Sequence, residues 1–562
     1  MKSVKNVYSN NRLKFALPFI LIFIVFFLSR IALLQRVVLL EDMDSISYLR
    51  TIKVFLSMNF NHIYNLDPDS SIFYPALGAL FSLPGWSVET GARLASLFAQ
   101  CVLFFSIMVI GLRIGTRSDV ILGLLLFTFT PALLELSVSV LTEPTYVALI
   151  YLALFLLWSQ FSNPKLWMAA VIGSLVGIAF LTRLEGIIYL GVFPVFILVY
   201  ITGFKSSKIP IKQYGLWVLV FWFFASLFII PQIYRVSDQM NTLAVNGRQA
   251  WTVLLHSDEN KSYEELIYGL DYSPEEVNID YLKENMDRFS NLDTKQESTE
   301  SFVKNYIVTA ALNFFDLNDS KLPEFFGIFV LVFFVFGLFS LFQKGYIFEI
   351  LLVLLFLTSS LIPPMLHNVI IRHIIIIGPL VLLIAGFGIM FISNNILENI
   401  RDPKVLKYLV PLILLLIAIS PWIYTIKNDF NPPKYRKDYS LVQLQKPVEI
   451  IKEISQKELD RQPVIASRLS YIGYYAGADL IFTPYTNYEG LVKYLTLNKA
   501  DFLYLNYYYN DYKNRKYPFM TKFVEGDTSD NFILLYNDID KYTGAKLELY
   551  RFKKSKNYAS HP

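Results

Sequence analysis

Three carboxylates, Glu41, Asp42 and Asp44, fall within the stretch LLEDMDSISYL (39–49), directly after an apolar run. Charge is costly near hydrocarbon, so acids at the mouth of a membrane-length segment have two readings. In the first they form a solvated loop, with Asp44 as the N-cap of the following helix, accepting a backbone N–H bond from its first turn. In the second a carboxylate beside a membrane-embedded substrate takes the proton of an attacking hydroxyl, which is general-base chemistry.

Three further clusters are of the same kind. LTEPTY (141–146) offers Glu143 beside Pro144, and proline suits a first helical turn. FLTRLEGIIYL (180–190) interrupts two apolar runs with Thr182, Arg183, Glu185 and Gly186, and an internal Arg183–Glu185 pair fits that spacing. HNVIIRHIIIIGP (367–379) opens an apolar run with Arg372 and His373. An arginine there either snorkels to lipid headgroups or presents its fork of donors to a phosphate at the interface.

The elements that position these residues are membrane helices. The 562 residues are 54% hydrophobic and only 17% charged, whereas soluble chains carry about 25% charge. Apolar stretches of the length that crosses a hydrocarbon core occur near 15–34, 88–112, 119–136, 143–161, 166–182, 187–203, 215–234, 324–342, 346–363, 374–392 and 408–425. The first is too long for a cleaved signal and reads as a retained span. Lys2, Lys5, Arg12 and Lys14 place the N-terminus in the cytoplasm. The same rule then accounts for Arg113 and Arg117, Lys165, Lys205 with Lys208 and Lys212, Lys344, and Arg401 with Lys404 and Lys407 on later cytoplasmic turns. About eleven spans put 35–87, 235–323 and everything beyond 426 outside. Residues 1–425 are thus expected to form an all-α polytopic domain and 426–562 a small extracytoplasmic α/β domain. In that domain PVIAS (463–467), DLIFTP (479–484), DFLYLN (501–506) and NFILLY (531–536) read as strands, with helical patterns at 446–459 and 486–498.

After the acidic cluster, Ile46, Leu49, Ile52 and Phe55 recur every three residues while Arg50 and Lys53 take another face. This is the pattern of a helix lying in the membrane interface. The single cysteine, Cys101, rules out an internal disulfide. The sequence has no phosphate-cradling glycine loop, no zinc-spaced Cys/His set and no Ser/His/Asp order, and nothing in it points to nucleic acid.

Taken in order, the motifs resemble the polyprenyl-phosphate-sugar-dependent glycosyltransferases of the GT-C fold, in the branch related to protein O-mannosyltransferases and aminoarabinose transferases. The likeness rests on DSISYL with Asp44 and Tyr48, FYPALGALFSLPG (73–85), TGARLASLFAQ (90–100), the TEP of Thr142–Pro144, TRLEG (182–186), RHIIIIGP (372–379) and ASRLSYIGYYAG (466–477). It spans nearly the whole chain. Leu184 and His373 stand where the family usually has proline and tyrosine, and the paired prolines of the first loop are missing.

The resemblance implies a sugar donor on an isoprenoid phosphate, an acceptor hydroxyl on a glycan, lipid or protein, and inverting transfer on the extracytoplasmic side of the cell membrane. It implies Asp44 as the base, with Asp42 as its rival, and Glu143 orienting the acceptor or steadying the developing positive charge. Arg183 and Arg372 would serve the lipid phosphate, with His373, Glu185 and Tyr48 also lining the site. The sequence requires no metal, although a divalent cation between carboxylates is compatible with it. The alternative is a transporter or flippase of a lipid-linked saccharide. That reading expects ionisable residues deep in spans, whereas here they gather at junctions, with Glu349 an exception.

Overall fold

The computed structural model describes residues 2–35, 43–64, 66, 71–204, 210–240, 245, 326–365, 375–398, 400, 405–429, 437–467, 470–481, 483–484, 488–507, 519–525, 531–539 and 546–553. Asp42, Arg372 and His373 lie outside the described residues, as does most of 235–323.

The chain opens with α1 (Lys2–Leu34) and α2 (Met43–Leu56). In α2 the three-residue repeat buries Ile46, Leu49 and Ile52 and leaves Arg50 and Lys53 exposed. Because α2 begins at Met43, Asp44 sits inside the first turn, where unpaired backbone N–H groups favour a carboxylate. Next come α3 (Phe60–Tyr64), α4 (Phe73–Ser82) and α5 (Val88–Ile114). The Ser87 hydroxyl caps α5 by accepting from the Thr90 amide at 3.1 Å.

A Thr116–Asp119 capping box starts α6 (Arg117–Phe129). Pro131 lacks the N–H needed to continue that helix, so a short α7 (Pro131–Leu136) follows after an extended Thr130. Then come α8 (Glu143–Trp158), α9 (Leu166–Thr182), a 3₁₀ turn (Leu184–Ile188), α10 (Tyr189–Val199) and α11 (Ile211–Met240). The membrane region closes with α12 (Ile328–Gln343), α13 (Ile347–Met365), α14 (Gly378–Leu397) and α15 (Leu406–Asp429).

Among the described residues six helical stretches are long and apolar enough to span a bilayer: Phe15–Leu34, Val88–Ile114, Leu184–Phe204, Ile211–Gln239, Gly378–Leu397 and Leu406–Ile423. Four of the other expected spans fall on shorter apolar helices, Glu143–Trp158, Leu166–Thr182, Ile328–Gln343 and Ile347–Leu361, while the span expected at 119–136 is broken between α6 and α7. The protein is a multi-pass membrane protein. At its centre, α14 is buried all round from Gly378 to Ile389, as expected of a helix with no polar face. Two glycines let it approach its neighbours. A methyl on Gly388 would strike the Phe333 carbonyl of α12, and one on Gly386 would strike the Gly123 amide of α6. Small residues at such crossings let backbones pack closely, which is how helices associate in lipid.

Beyond α15 lies a small sheet domain. It comprises α16 (Lys437–Glu458), β1 (Val464–Ala466), α17 (Ser470–Ala476), β2 (Asp479–Ile481), α18 (Tyr488–Leu497), β3 (Phe502–Tyr507), α19 (Met520–Glu525), β4 (Phe532–Ile539) and β5 (Lys546–Phe552). The strand order is β2-β1-β3-β5-β4. The β1 strand pairs in parallel with β2 and β3, while β5 runs antiparallel to both β3 and β4. Apolar clusters cover both faces. Leu491, Leu495 and Phe523 lie on one, and Ile451 and Ile472 lie on the other.

Candidate active site

Helix α8 begins where Pro144 fits the first turn, and this sets Thr142 and Glu143 at its entrance, both almost fully buried. Helix α9 ends at Thr182, and Arg183 takes an extended conformation before the 3₁₀ turn. The change of direction turns the guanidinium toward α8. Its Nη1 donates to Oε1 of Glu143 at 2.5 Å, and Nη2 and Nε donate to the two carboxylate oxygens of Glu185 at 2.8 and 3.3 Å. Nη1 also reaches Oγ1 of Thr142 at 3.5 Å. The TEP and TRLEG motifs therefore form a single unit. One cation is held between two carboxylates, with the fork-to-carboxylate geometry that arginine favours.

Helix α2 lays Tyr48 against this unit, where its phenol feels the charges of Glu143 and Arg183. Asp44 precedes Tyr48 by one turn, on the same helical face. Burial, reinforced by the charges of Glu143 and Asp44, pushes the Tyr48 phenol up to about 12. The phenol is consequently a hydrogen-bond donor at neutral pH. Its ring meets Tyr74 of α4 edge-on, with centroids 5.6 Å apart.

A set of hydrogen bonds to main-chain carbonyls fixes α2 and α4 over the ends of α5, α8 and α9. Ser45 donates to the Val140 carbonyl at 2.9 Å, and Ser96 to that of Ser139 at 2.7 Å. The Ile72 amide donates to the Leu181 carbonyl at 3.0 Å, two residues before Arg183. Tyr74 donates to the Ala92 carbonyl at 3.1 Å. Irregular backbone between helices must find partners when buried, and here the first loop supplies them. At the end of α11, Arg235 donates to the Leu66 carbonyl at 2.7 Å, tying the same loop to a third helix.

Asp44, Tyr48, Glu143, Arg183 and Glu185 are thus brought to one end of the bundle. Arg372 and His373 lie outside the described residues, and the description resumes along the chain at Ile375–Ile377, all buried. That turn is anchored by Tyr151 of α8, which donates to the Ile376 carbonyl at 2.9 Å and accepts from the Leu380 amide at 3.2 Å. Among the described residues no three His, Cys, Asp or Glu side chains are grouped so as to hold a metal ion.

No protein-family model matches the sequence, and no curated protein matches it. Solved structures do. The Archaeoglobus fulgidus oligosaccharyltransferase, tethered to an acceptor peptide containing an NVT sequon, aligns over 95% of this chain and 74% of its own, at 12% identity and a TM-score of 0.57. The archaeal oligosaccharyltransferase AglB from Archaeoglobus fulgidus, in complex with an inhibitory peptide and a dolichol-phosphate, aligns over 96% of this chain and 75% of its own, at 13% identity and a TM-score of 0.54. ArnT from Cupriavidus metallidurans, bound to undecaprenyl phosphate, aligns over 97% and 99% of the two chains, at 12% identity and a TM-score of 0.41.

The chain has the GT-C fold.

Within this GT-C chain some site residues escape a reading of motifs. Thr142 is visible as a helix cap, but its place between Tyr48 and Arg183 is not. Ser45 and Ser96 are unremarkable in sequence, since any serine can bond a nearby carbonyl. The sheet domain also reaches the site. Lys53 of α2 stands 4.5 Å above the ring of Tyr474, and Tyr471 and Tyr474 pack into the cluster formed by Ile46, Leu49 and Ile52. The tyrosine-rich spacing of SYIGYYAG is the one sequence signal of that contact.

Proposed function

We propose that the chain transfers a sugar, with inversion, from a polyprenyl-phosphate-linked donor to an acceptor hydroxyl on the extracytoplasmic side of the cell membrane. The observation that carries this reading is that Asp44 stands one turn from Tyr48, whose phenol feels Asp44 together with the buried Glu143 and its partner Arg183. The GT-C fold supports it, since the archaeal oligosaccharyltransferase of that fold takes a dolichol-phosphate and an inhibitory peptide. The N-terminus is then cytoplasmic, and the sheet domain faces the acceptor side.

Asp44 accepts the acceptor's proton as its oxygen attacks the anomeric carbon, with Asp42 the competing base. The new C–O bond forms as the sugar–phosphate bond breaks, and the electron pair leaves on the lipid phosphate. Positive character grows on the sugar ring, and a buried carboxylate at Glu143 opposes that charge with little reorganisation. Arg183, held by Glu143 and Glu185, positions the Glu143 carboxylate. Tyr48 donates to a sugar or phosphate oxygen. Arg372 and His373 are assigned to the leaving phosphate.

The test is transfer of radiolabelled sugars from a panel of polyprenyl-phosphate donors to extracted envelope material, with wild type beside Asp44→Asn. Loss of a general base costs roughly 10²–10⁴ in rate, so the expected variant is folded, binds donor and transfers almost nothing. Equal transfer by both would move the base to Asp42 or Glu143. Donor binding without transfer by wild type would favour transport of a lipid-linked saccharide.

A further inference from the structure

Arg30, one turn before the end of α1, is fully buried among apolar residues. One edge of its guanidinium is used. Nη1 donates to the Thr128 carbonyl at 2.7 Å and to Oγ of Ser29 at 3.0 Å, and the group lies 4.1 Å over the Phe26 ring. The other edge is not used, for neither Nε nor Nη2 has a hydrogen-bond partner among the described residues. No carboxylate among them pairs with it either, and the titratable group nearby is the neutral thiol of Cys101. Gln100, adjacent to that cysteine on α5, is equally buried, and neither its Oε1 nor its Nε2 has a hydrogen-bond partner among the described residues. A buried cation without a counter-charge is strongly disfavoured. A primary amide left with neither bond adds to that cost.

The surroundings indicate what completes the pair. Phe98, Cys101 and Phe105 fall on one face of α5 at helical spacing, with Phe98 and Phe105 exposed and Cys101 half-exposed. On α1, Phe27 and Leu28 are exposed beside Arg30. The charge therefore lies just behind an apolar seam between two helices that face lipid. We infer that Arg30 and Gln100 form a binding site for the phosphate of a membrane glycerophospholipid seated in the α1–α5 seam. Nε and Nη2 form the fork that receives two phosphate oxygens. Gln100 Nε2 donates to a third oxygen, and the exposed phenylalanines take the acyl chains. The site shares no residue with the Glu143–Arg183 unit, so it is a resident lipid site and its occupancy does not depend on transfer chemistry.

The test is lipid retention by the purified full chain in detergent, read by native mass spectrometry for wild type, Arg30→Met, Arg30→Lys and Gln100→Leu. Thermal melts are run in parallel with added phosphatidylglycerol, a phosphate-free glycosyl diacylglycerol, or inorganic phosphate. Wild type is expected to retain a phospholipid and to gain about 3 °C with phosphatidylglycerol alone. Loss of the charged contact lowers retention about tenfold in Arg30→Met, with partial recovery in Arg30→Lys. Equal retention by wild type and Arg30→Met overturns the site, as does an equal gain from the phosphate-free lipid. A gain from inorganic phosphate alone overturns the assignment to a lipid. Should Arg30→Met fail to fold, the near-isosteric Gln100→Leu decides by the same readouts.

Discussion

Arg183 and Glu143 meet across forty residues of chain, Nη1 to Oε1 at 2.5 Å, with side chains only 14% and 3% exposed. Removing the two partners should not be equivalent. Arg183→Met takes away the guanidinium that meets the buried Glu143 carboxylate, and breaking a buried pair at one partner costs about 3–5 kcal/mol. Glu143→Gln keeps the Arg183–Glu185 fork and fills the same volume, so it should cost only about 1–2 kcal/mol. Chemical unfolding of the two variants in one detergent gives the order, and the reverse order would show that the pair does not hold these helices together.

Tyr48 sets a second expectation, in alkali. Its folded-state phenol is pushed up to about 12 by burial and by the nearby acids, while an unfolded tyrosine ionises near 10. The folded state thus holds the proton more tightly. The stabilisation is complete below pH 10 and is lost as the pH rises from about 10 to 12. Unfolding midpoints of wild type and Tyr48→Phe should converge over that window, because the other tyrosines contribute equally to both. A constant gap would mean that the phenol is not held neutral by its surroundings. At pH 7 to 9 Tyr48 stays a donor, so it introduces no step in an activity profile there.

How much of this was legible depends on the range of each interaction. The face of α2 could be read because Ile46, Leu49 and Ile52 repeat at helical spacing, and that signal is local. Glu143 and Arg183 were each visible as ionisable residues at span junctions, yet TEP read alone is a helix start and TRLEG read alone is an internal Arg–Glu pair. Their bond depends on how α8 and α9 pack, which no local spacing encodes. In the sheet domain, β1 to β4 stood out as apolar runs bounded by turn residues. The β5 segment KLELYRF did not, since alternating charges imitate an exposed strand. Its Glu548 is buried, accepting from Lys546 at 2.5 Å and from Tyr550 at 2.8 Å. The α6–α7 break was read as one continuous span although Pro131 marks it, because apolar composition alone runs straight through.

Lys53 and Tyr474 join the sheet domain to the helix that carries Asp44. A cation over an aromatic ring contributes about 0.5–2 kcal/mol, and the ring of Tyr474 also covers the apolar face of α2. Tyr474→Ala is therefore expected to loosen α2 locally, speeding amide exchange in 46–55 about tenfold, with the exchange of α14 unchanged. Lys53→Gln should give a smaller effect of the same sign. Identical exchange in all three proteins would mean that α2 is held by α4 and α5 alone.

Gly388 tests the packing on which the whole arrangement rests. A methyl there meets the Phe333 carbonyl, a backbone atom that cannot rotate aside, so α12 and α14 must separate. Gly388→Ala should cost about 1–3 kcal/mol, the range for overpacking a close contact. Gly191 of α10 provides the comparison, since a methyl there meets nothing within 4 Å. Gly191→Ala should be neutral or gain up to about 1 kcal/mol from helix propensity. Because α14 follows directly on the turn that Tyr151 anchors, separation at Gly388 should also disturb 375–380. Faster exchange of those amides in Gly388→Ala, and not in Gly191→Ala, would tie the central crossing to the end of the bundle where the acids gather. Equal melting temperatures for the two variants would show that α12 and α14 tolerate a wider approach than their contact implies.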